Sequence, residues 1–332
     1  MTLTVGWIGC GRHASQMLLP QVGRAGLRLG AICDTDAAAL AETAARYGVP
    51  RTTTDWRDLV ALPGLDAICM AVGPGVHHAA SLAALERGLP VFIEKPPAAD
   101  SAGAAEIAAA RRVGVPVLVG FMKRYSTGNR IAGNILRGGS FGRVLGITGA
   151  YMTAPTYFAG APDYAGFYLH HCVHYMDLMP WLAGSPFADM SVRRIEHAPG
   201  RLLFHLGFSF ENGAIGTVVM GTVQSRGTPM EAITVMGDHQ RIEIANVINV
   251  SWHRDPPFKA DDMSAVLDPA TDTLTWTPNF TAAAAEDHKG YAALLVDVAA
   301  ALSGGPSDAP TIDDGVAALA SLERMVSLIE AG

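Results

Sequence analysis

A short apolar run, Leu3-Thr4-Val5-Gly6-Trp7-Ile8, breaks into Gly9-Cys10-Gly11-Arg12-His13-Ala14 and then into a stretch with helical potential. Few folds use a strand, a glycine turn and a helix in this order. The G-x-G-x-x-A spacing allows a tight bend and lets backbone approach a pyrophosphate held on the helix N-terminus. Taken alone, the turn also fits a strand-to-helix connection that binds nothing. A second strand, Leu27–Cys33, ends on Asp34, in the interval where a dinucleotide fold places the acid that binds the adenosine ribose. That pairing favours a bound dinucleotide, with Gly9, Gly11, Arg12, His13 and Asp34 as its candidate contacts. Thr35 and Asp36 follow, and an unopposed carboxylate repels the extra phosphate of NADP, so NAD is the expected cofactor and NADP the less favoured one. Asp36 also suits the N-cap of an Ala-rich helix from Ala37 to about Tyr47, closed by Gly48.

The alternation continues. A strand over Asp66–Val72 ends in Gly73-Pro74-Gly75, a helix runs from about Val76 to Arg87, and Val91-Phe92-Ile93 forms a further buried strand that stops on Glu94-Lys95-Pro96-Pro97. The two prolines can continue neither a ladder nor a helix, so this strand end delivers a lysine into a cleft. The β-α repeat with short loops predicts a Rossmann-type, doubly wound parallel sheet with its ligand at the carboxyl ends of the strands. Gly9, Asp34, Gly73 and Lys95 all stand at such ends. His77, in the first turn of its helix, suits either a cofactor ribose contact or a solvated position.

With 332 residues, 49% of them hydrophobic, the chain is long enough for two domains. The expected division is 1–121 for cofactor binding and 122–332 for a substrate-binding α+β domain. The net charge of −7 gives no basic surface for nucleic acid or an anionic membrane. No uncharged apolar run reaches spanning length, and Cys10, Cys33, Cys69 and Cys172 show no CxxC pairing. A cytoplasmic protein with free thiols is expected.

In the second half, Leu202–Phe210 and Ala214–Met220 flank Asn212-Gly213, a hairpin signal, and Ala232–Asp238 with Gln240–Ala245 form another strand pair. A largely antiparallel sheet is therefore predicted, completed by two terminal helices near 286–302 and 313–331. Residues 154–168 are loop-like and aromatic, and Tyr157 is a candidate for covering the CH face of a sugar, although a packed surface loop accounts for the same composition. His170, His174 and Asp177 follow an i, i+4, i+7 spacing that a regular helix would put on one face. A histidine pair at i, i+4 is also a zinc spacing, but no fourth ligand or general-base glutamate accompanies it, and no metal site is assigned. Trp252-His253-Arg254 suits a pocket wall or a surface loop equally.

Taken together, Gly9-x-Gly11-x-x-Ala14, Asp34, Ala71-Val72-Gly73-Pro74-Gly75-Val76-His77, Glu94-Lys95-Pro96 and Gly120-Phe121-Met122-Lys123-Arg124-Tyr125 resemble the Gfo/Idh/MocA family of nicotinamide-dependent sugar and polyol oxidoreductases, in order along essentially the whole chain. The resemblance implies that Lys95 is the catalytic lysine beside nicotinamide and substrate, often preceding a cis peptide, and that Glu94 and Lys123 belong to the cofactor site. It also implies that His174 and Asp177 match the histidine and second aspartate of a D-x-G-x-H-x-x-D pattern. His170 stands where many members carry aspartate, and Cys172 replaces a glycine. An imidazole still hydrogen-bonds a hydroxyl but supplies no fixed negative charge, so a shift in substrate choice is expected.

The implied reaction is reversible hydride transfer between NAD and a secondary alcohol of a sugar, inositol or related polyol. Lys95 accepts the hydroxyl proton, which requires its pKa to fall from about 10.4 by partial burial and the positive ring. His174 holds the hydroxyl or relays the proton, Asp177 orients that imidazole, and Arg124 and His170 position substrate. Two other classes share the fold: a redox-neutral enzyme that oxidises a sugar transiently to eliminate or cleave it, and a non-catalytic sugar sensor, which has no need of Lys95 or His174. Self-association as a homo-oligomer, dimer or tetramer, is implied through the uncovered face of the second sheet.

Overall fold

The protein is described here from a computed structural model, which describes residues 2–154, 164–225, 230–279 and 287–331. In chain order the first elements are β1 (Leu3–Ile8), a helical run whose middle is a π-turn (Ala14–Leu18) continuing into α1 (Leu19–Val22), β2 (Leu27–Cys33) and α2 (Ala37–Tyr47). Then come β3 (Thr52–Thr53), α3 (Trp56–Ala61), β4 (Ala67–Met70), α4 (Pro74–Glu86), β5 (Val91–Ile93), α5 (Ser101–Ala110) and β6 (Val117–Val119). The six strands form one all-parallel sheet in the order β3-β2-β1-β4-β5-β6. This is the doubly wound order of a dinucleotide-binding domain, with its topological switch between β1 and β4. Strands covered on both faces must be apolar throughout, and every residue of β4, β5 and β6 is buried.

Three aspartates start the helices on the cofactor side of the sequence pattern. Asp36 accepts from Ala38 N and Ala39 N, Asp55 from Arg57 N at 2.9 Å, and Asp100 from Gly103 N at 2.8 Å, each satisfying donors that a first turn leaves open. The π-turn after the glycine loop has a local cause: Pro20 has no N–H to return to the preceding turn, and a wider turn absorbs the missing bond.

The chain divides into two compact units, 1–122 with 290–323 and 123–289 with 324–332. This departs from a single cut at residue 121. The helix Tyr291–Leu302 and most of the helix Ile312–Ala331 return to the first unit. Their apolar residues Leu294, Leu295, Val298, Ile312 and Leu319 are buried, and Val119 N donates to Pro310 O at 2.7 Å. Burial of these faces outweighs chain order.

The second unit contains α6 (Thr127–Arg137), β7 (Gly146–Met152), α7 (Tyr164–Phe167), a π-turn (Tyr168–Cys172) and α8 (Val173–Ala183). These are followed by β8 (Phe187–Glu196), β9 (Leu202–Phe210), β10 (Ile215–Gly221), β11 (Met230–Gly237), β12 (Gln240–Ala245), β13 (Asn249–His253) and β14 (Leu274–Trp276). The sheet order is β14-β13-β12-β11-β7-β10-β9-β8. The hairpin expected at Asn212-Gly213 joins β9 to β10, Ser209 facing Ile215, with Gly213 at φ 85° as the turn requires. β11 and β12 pair antiparallel as expected, while β10 runs parallel to β7. Alternate residues of β9 (Leu202, Phe204, Leu206, Phe208, Phe210) are buried, so this sheet has one covered face. α6 packs on β12 and β13, and α8 on β7.

Candidate active site

In the first unit, a cleft of about 360 Å³ opens at the switch point, lined by Gly9, Gly11, Cys33, Asp34, Thr35, Thr54, Trp56, Val72, Gly73 and neighbours. Gly9 has φ 101°, and any Cβ there would collide with the carbonyl oxygen of Ala71, so both conformation and space demand glycine. At Gly11 and Gly73 nothing lies within 4 Å of where a Cβ would stand, which leaves bare backbone toward the cleft. Asp34 Oδ2 accepts from Cys10 N at 2.6 Å and Oδ1 from Asp36 N at 2.8 Å, so the carboxylate is fixed between the glycine turn and the entry to α2. Each oxygen keeps a lone pair for a ribose hydroxyl. Bare glycine backbone beside a held carboxylate fits a dinucleotide, and Gly9, Gly11, Asp34 and Gly73 would hold it.

Trp56 was not singled out by sequence reasoning. It lines the same cleft, and the Arg57 guanidinium lies 4.5 Å over its ring. A tryptophan just after an N-capping aspartate was the available signal. Cys33 borders the cleft and Cys10 lies in the glycine turn, both as buried thiols; burial pushes Cys10 up to about 11 and Cys33 to about 12, which keeps them protonated. Arg12 is exposed and donates to Gln16 Oε1 at 3.5 Å.

Lys95 stands, half-buried, at the end of β5, and the Lys95–Pro96 peptide is cis. Glu94 is buried; its Oε2 accepts from Lys95 N at 3.0 Å, and its Oε1 lies 3.9 Å from Nε2 of the half-exposed His13, whose ring meets Tyr291 edge-on. His77 is buried rather than solvated, and both of its ring nitrogens are engaged within the fold. It is 0% exposed, Nε2 accepts from Val72 N at 3.0 Å, and Nδ1 donates to Pro96 O at 2.8 Å. Burial pulls its pKa down to about 4, so it is a neutral brace between the turn after β4 and the segment carrying Lys95.

In the second unit, Lys123 is buried and ion-pairs with Glu231 of β11, and its ammonium lies 5.2 Å over the Tyr151 ring and 5.8 Å over the Tyr175 ring. Tyr175 Oη donates to Glu231 Oε2 at 3.3 Å. Arg124 grips Asp177 through both carboxylate oxygens, Nε to Oδ2 at 2.9 Å. His174, on the same α8 helix, is buried. The one-face expectation for His170, His174 and Asp177 fails at His170, which is exposed. It sits in the π-turn, whose wider spacing slips the i, i+4 relation and turns His171 inward instead, hydrogen-bonded to Tyr151 and stacked on it at 5.7 Å. Glu231, Tyr151 and Tyr175 carried no local signal, because tertiary structure assembles them: Glu231 faces Tyr151 in the β11–β7 register, and Tyr175 reaches Glu231 from α8. Tyr157 lies outside the described residues. Among the described residues no group of three or more His, Cys, Asp or Glu is arranged to hold a metal, and no helix is long and apolar enough to cross a membrane.

Comparison with known proteins agrees with this layout. Residues 3–121 match the model of an oxidoreductase family with an NAD-binding Rossmann fold, and residues 134–331 match that family's C-terminal alpha/beta domain. An inositol 2-dehydrogenase of Burkholderia vietnamiensis (strain G4 / LMG 22486) is 30% identical over 213 residues, 61% of this chain and 61% of that protein. Another, from Leifsonia xyli subsp. xyli (strain CTCB07), is 32% identical over 184 residues, 53% of each. The match thus spans about three fifths or less of the length of these curated relatives. Levoglucosan dehydrogenase in complex with NADH and levoglucosan superposes with a TM-score of 0.83 at 19% identity, covering 99% of this chain and 97% of the other. An oxidoreductase from Agrobacterium radiobacter in complex with NAD+, L-tartaric acid and magnesium gives 0.83 at 18% identity, covering 100% and 98%. At such identities these structures share the fold. With both of its domain models matched across nearly the entire sequence, the chain belongs to the Gfo/Idh/MocA oxidoreductase family.

Proposed function

We propose that this protein is an NAD-dependent dehydrogenase acting on a secondary alcohol of a sugar, inositol or related polyol. The observation that carries the reading is the glycine-walled cleft with Asp34 fixed inside it, in the same unit in which Lys95 follows β5. The inositol 2-dehydrogenase relatives support the substrate class. NAD held in the cleft supplies the hydride acceptor for oxidation. Lys95 takes the proton of the reacting hydroxyl. In the second unit His174 is the imidazole offered to a substrate hydroxyl, and Asp177, gripped by Arg124, fixes the helix that carries His174. Glu94, bonded to the Lys95 backbone, and His77, bonded to Pro96, hold the lysine segment in place.

Exposed Ile195, Ile215, Leu274 and Trp276 on strands of the second sheet support self-association as a dimer or tetramer. Four unpaired buried cysteines suit a reducing cytoplasm. The test is a panel of polyols, pyranoses and glycosides with NAD and NADP, following absorbance of the reduced cofactor. NAD-linked oxidation of free polyols or sugars is the expected result, and glycoside cleavage without reduced cofactor would replace it with redox-neutral chemistry. Lys95→Ala should lower kcat by about 10²–10⁴-fold with NAD affinity kept; turnover within a few-fold of wild type refutes the assigned base.

A further inference from the structure

We propose that Glu231 and Asp177 are built-in counter-ions that make the substrate side of this enzyme selective for an uncharged polyhydroxy compound over sugar acids and sugar phosphates. The inference rests on the reading of the second unit as the substrate domain. Lysine and arginine are the side chains that receive a substrate carboxylate or phosphate, arginine through a bidentate fork. Lys123 and Arg124 both stand beside the His174 helix, and each already has a carboxylate partner within the fold. Lys123 ion-pairs with Glu231, and Arg124 uses both Nε and a terminal nitrogen on Asp177.

Burial makes these pairs hard to exchange. The side chains of Lys123 and Asp177 are 7% and 1% exposed, and Arg124 is 11% exposed. Removing one partner of such a pair strands the other charge. An anion seeking Lys123 or Arg124 must therefore displace an internal carboxylate or lie against one. Tyr175 adds a hydroxyl to Glu231 and, with Tyr151, a ring to Lys123, so this pair is held on several sides. The remaining groups are the Tyr151 and His171 rings and the buried His174, with the fully buried Tyr175 packed behind Tyr151. Aromatic faces cover CH groups, and imidazole and phenol exchange hydrogen bonds with hydroxyls without needing charge on the ligand. Glu231 is thus a specificity-determining residue that no local sequence pattern marks.

The experiment compares, with NAD and above the ordinary imidazole titration range, neutral cyclic polyols and pyranoses with the uronates and phosphate esters derived from them. Wild type is expected to favour the neutral parent in kcat/KM by at least about tenfold, equivalent to about 1.4 kcal/mol. Glu231→Gln, which leaves the Lys123 ammonium without its counter-ion, should shift the uronate-to-parent ratio toward the uronate by a similar factor. A wild-type preference for a uronate or phosphate ester overturns the inference and leaves the dehydrogenase reading standing. A folded Glu231→Gln protein with an unchanged ratio overturns the role of Glu231. If no compound of either class reduces NAD, the dehydrogenase reading falls and this inference with it. The wild-type panel decides the selectivity even where the variant fails to fold.

Discussion

Replacing His77 by leucine probes a brace on which the lysine-bearing segment depends. The imidazole is 0% exposed and spans from Val72 N to Pro96 O. Leucine has similar bulk and no polar atom, so the Val72 N–H and the Pro96 carbonyl both lose their partner. An unsatisfied buried group costs about 1–3 kcal/mol, so the variant should lose about 2–6 kcal/mol at neutral pH. The pH dependence is sharper. His77 titrates near 4 in the folded protein, because burial disfavours its charged form, and near 6.5 when unfolded. Between those values the unfolded chain binds the extra proton, so the neutral brace contributes fully above 6.5 and its contribution falls as pH falls. Integrating from pH 7 to pH 4 gives a loss of about 3 kcal/mol for wild type that the leucine variant does not share. Urea unfolding of both proteins, followed by circular dichroism and tryptophan fluorescence across that range, measures the difference with other titrations cancelled. The wild-type advantage should shrink by about 3 kcal/mol toward pH 4. An advantage independent of pH refutes a neutral, doubly bonded His77.

Other consequences follow from the same geometry. Asp34→Ala removes the acceptor of Cys10 N and Asp36 N and the ribose ligand together, so calorimetric titration should show NAD affinity lowered by at least about tenfold and the preference for NAD over NADP narrowed; an unchanged preference refutes the assignment. Asp177→Ala removes the bidentate carboxylate partner of the largely buried Arg124 and should cost about 3–5 kcal/mol in denaturant unfolding, with Asp177→Asn milder. Trp56→Ala should weaken ADP-ribose binding by about tenfold, within the usual range for loss of an aromatic stack on a base, and leave nicotinamide mononucleotide binding unaffected, both read by calorimetry.

Much of the first unit is legible because its signals are local. Glycine at Gly9, a carboxylate at Asp34, and Asp36 with Gly48 bounding α2 each act within a few residues of themselves. The apolar runs of β4, β5 and β6 follow from burial on both faces of a parallel sheet. In the second unit, Asn212-Gly213 marks its hairpin for the same reason. What misled the sequence reading was helix geometry: the i, i+4, i+7 argument assumes an α-helix throughout, and the π-turn at Tyr168–Cys172 moved His170 to the surface and His171 inward.

The sequence by itself thus determined the doubly wound sheet, the cofactor cleft and the place of Lys95 at a strand end, since turn chemistry and strand burial are written residue by residue. Tertiary structure alone decided that the terminal helices return to the first unit, that β10 lies parallel to β7, and that His77 is a buried brace. It also decided that Glu231, more than 100 residues away in the chain, neutralises Lys123. These outcomes depend on which distant surfaces exclude water together and which buried charges must find a partner. No spacing along the chain encodes either choice.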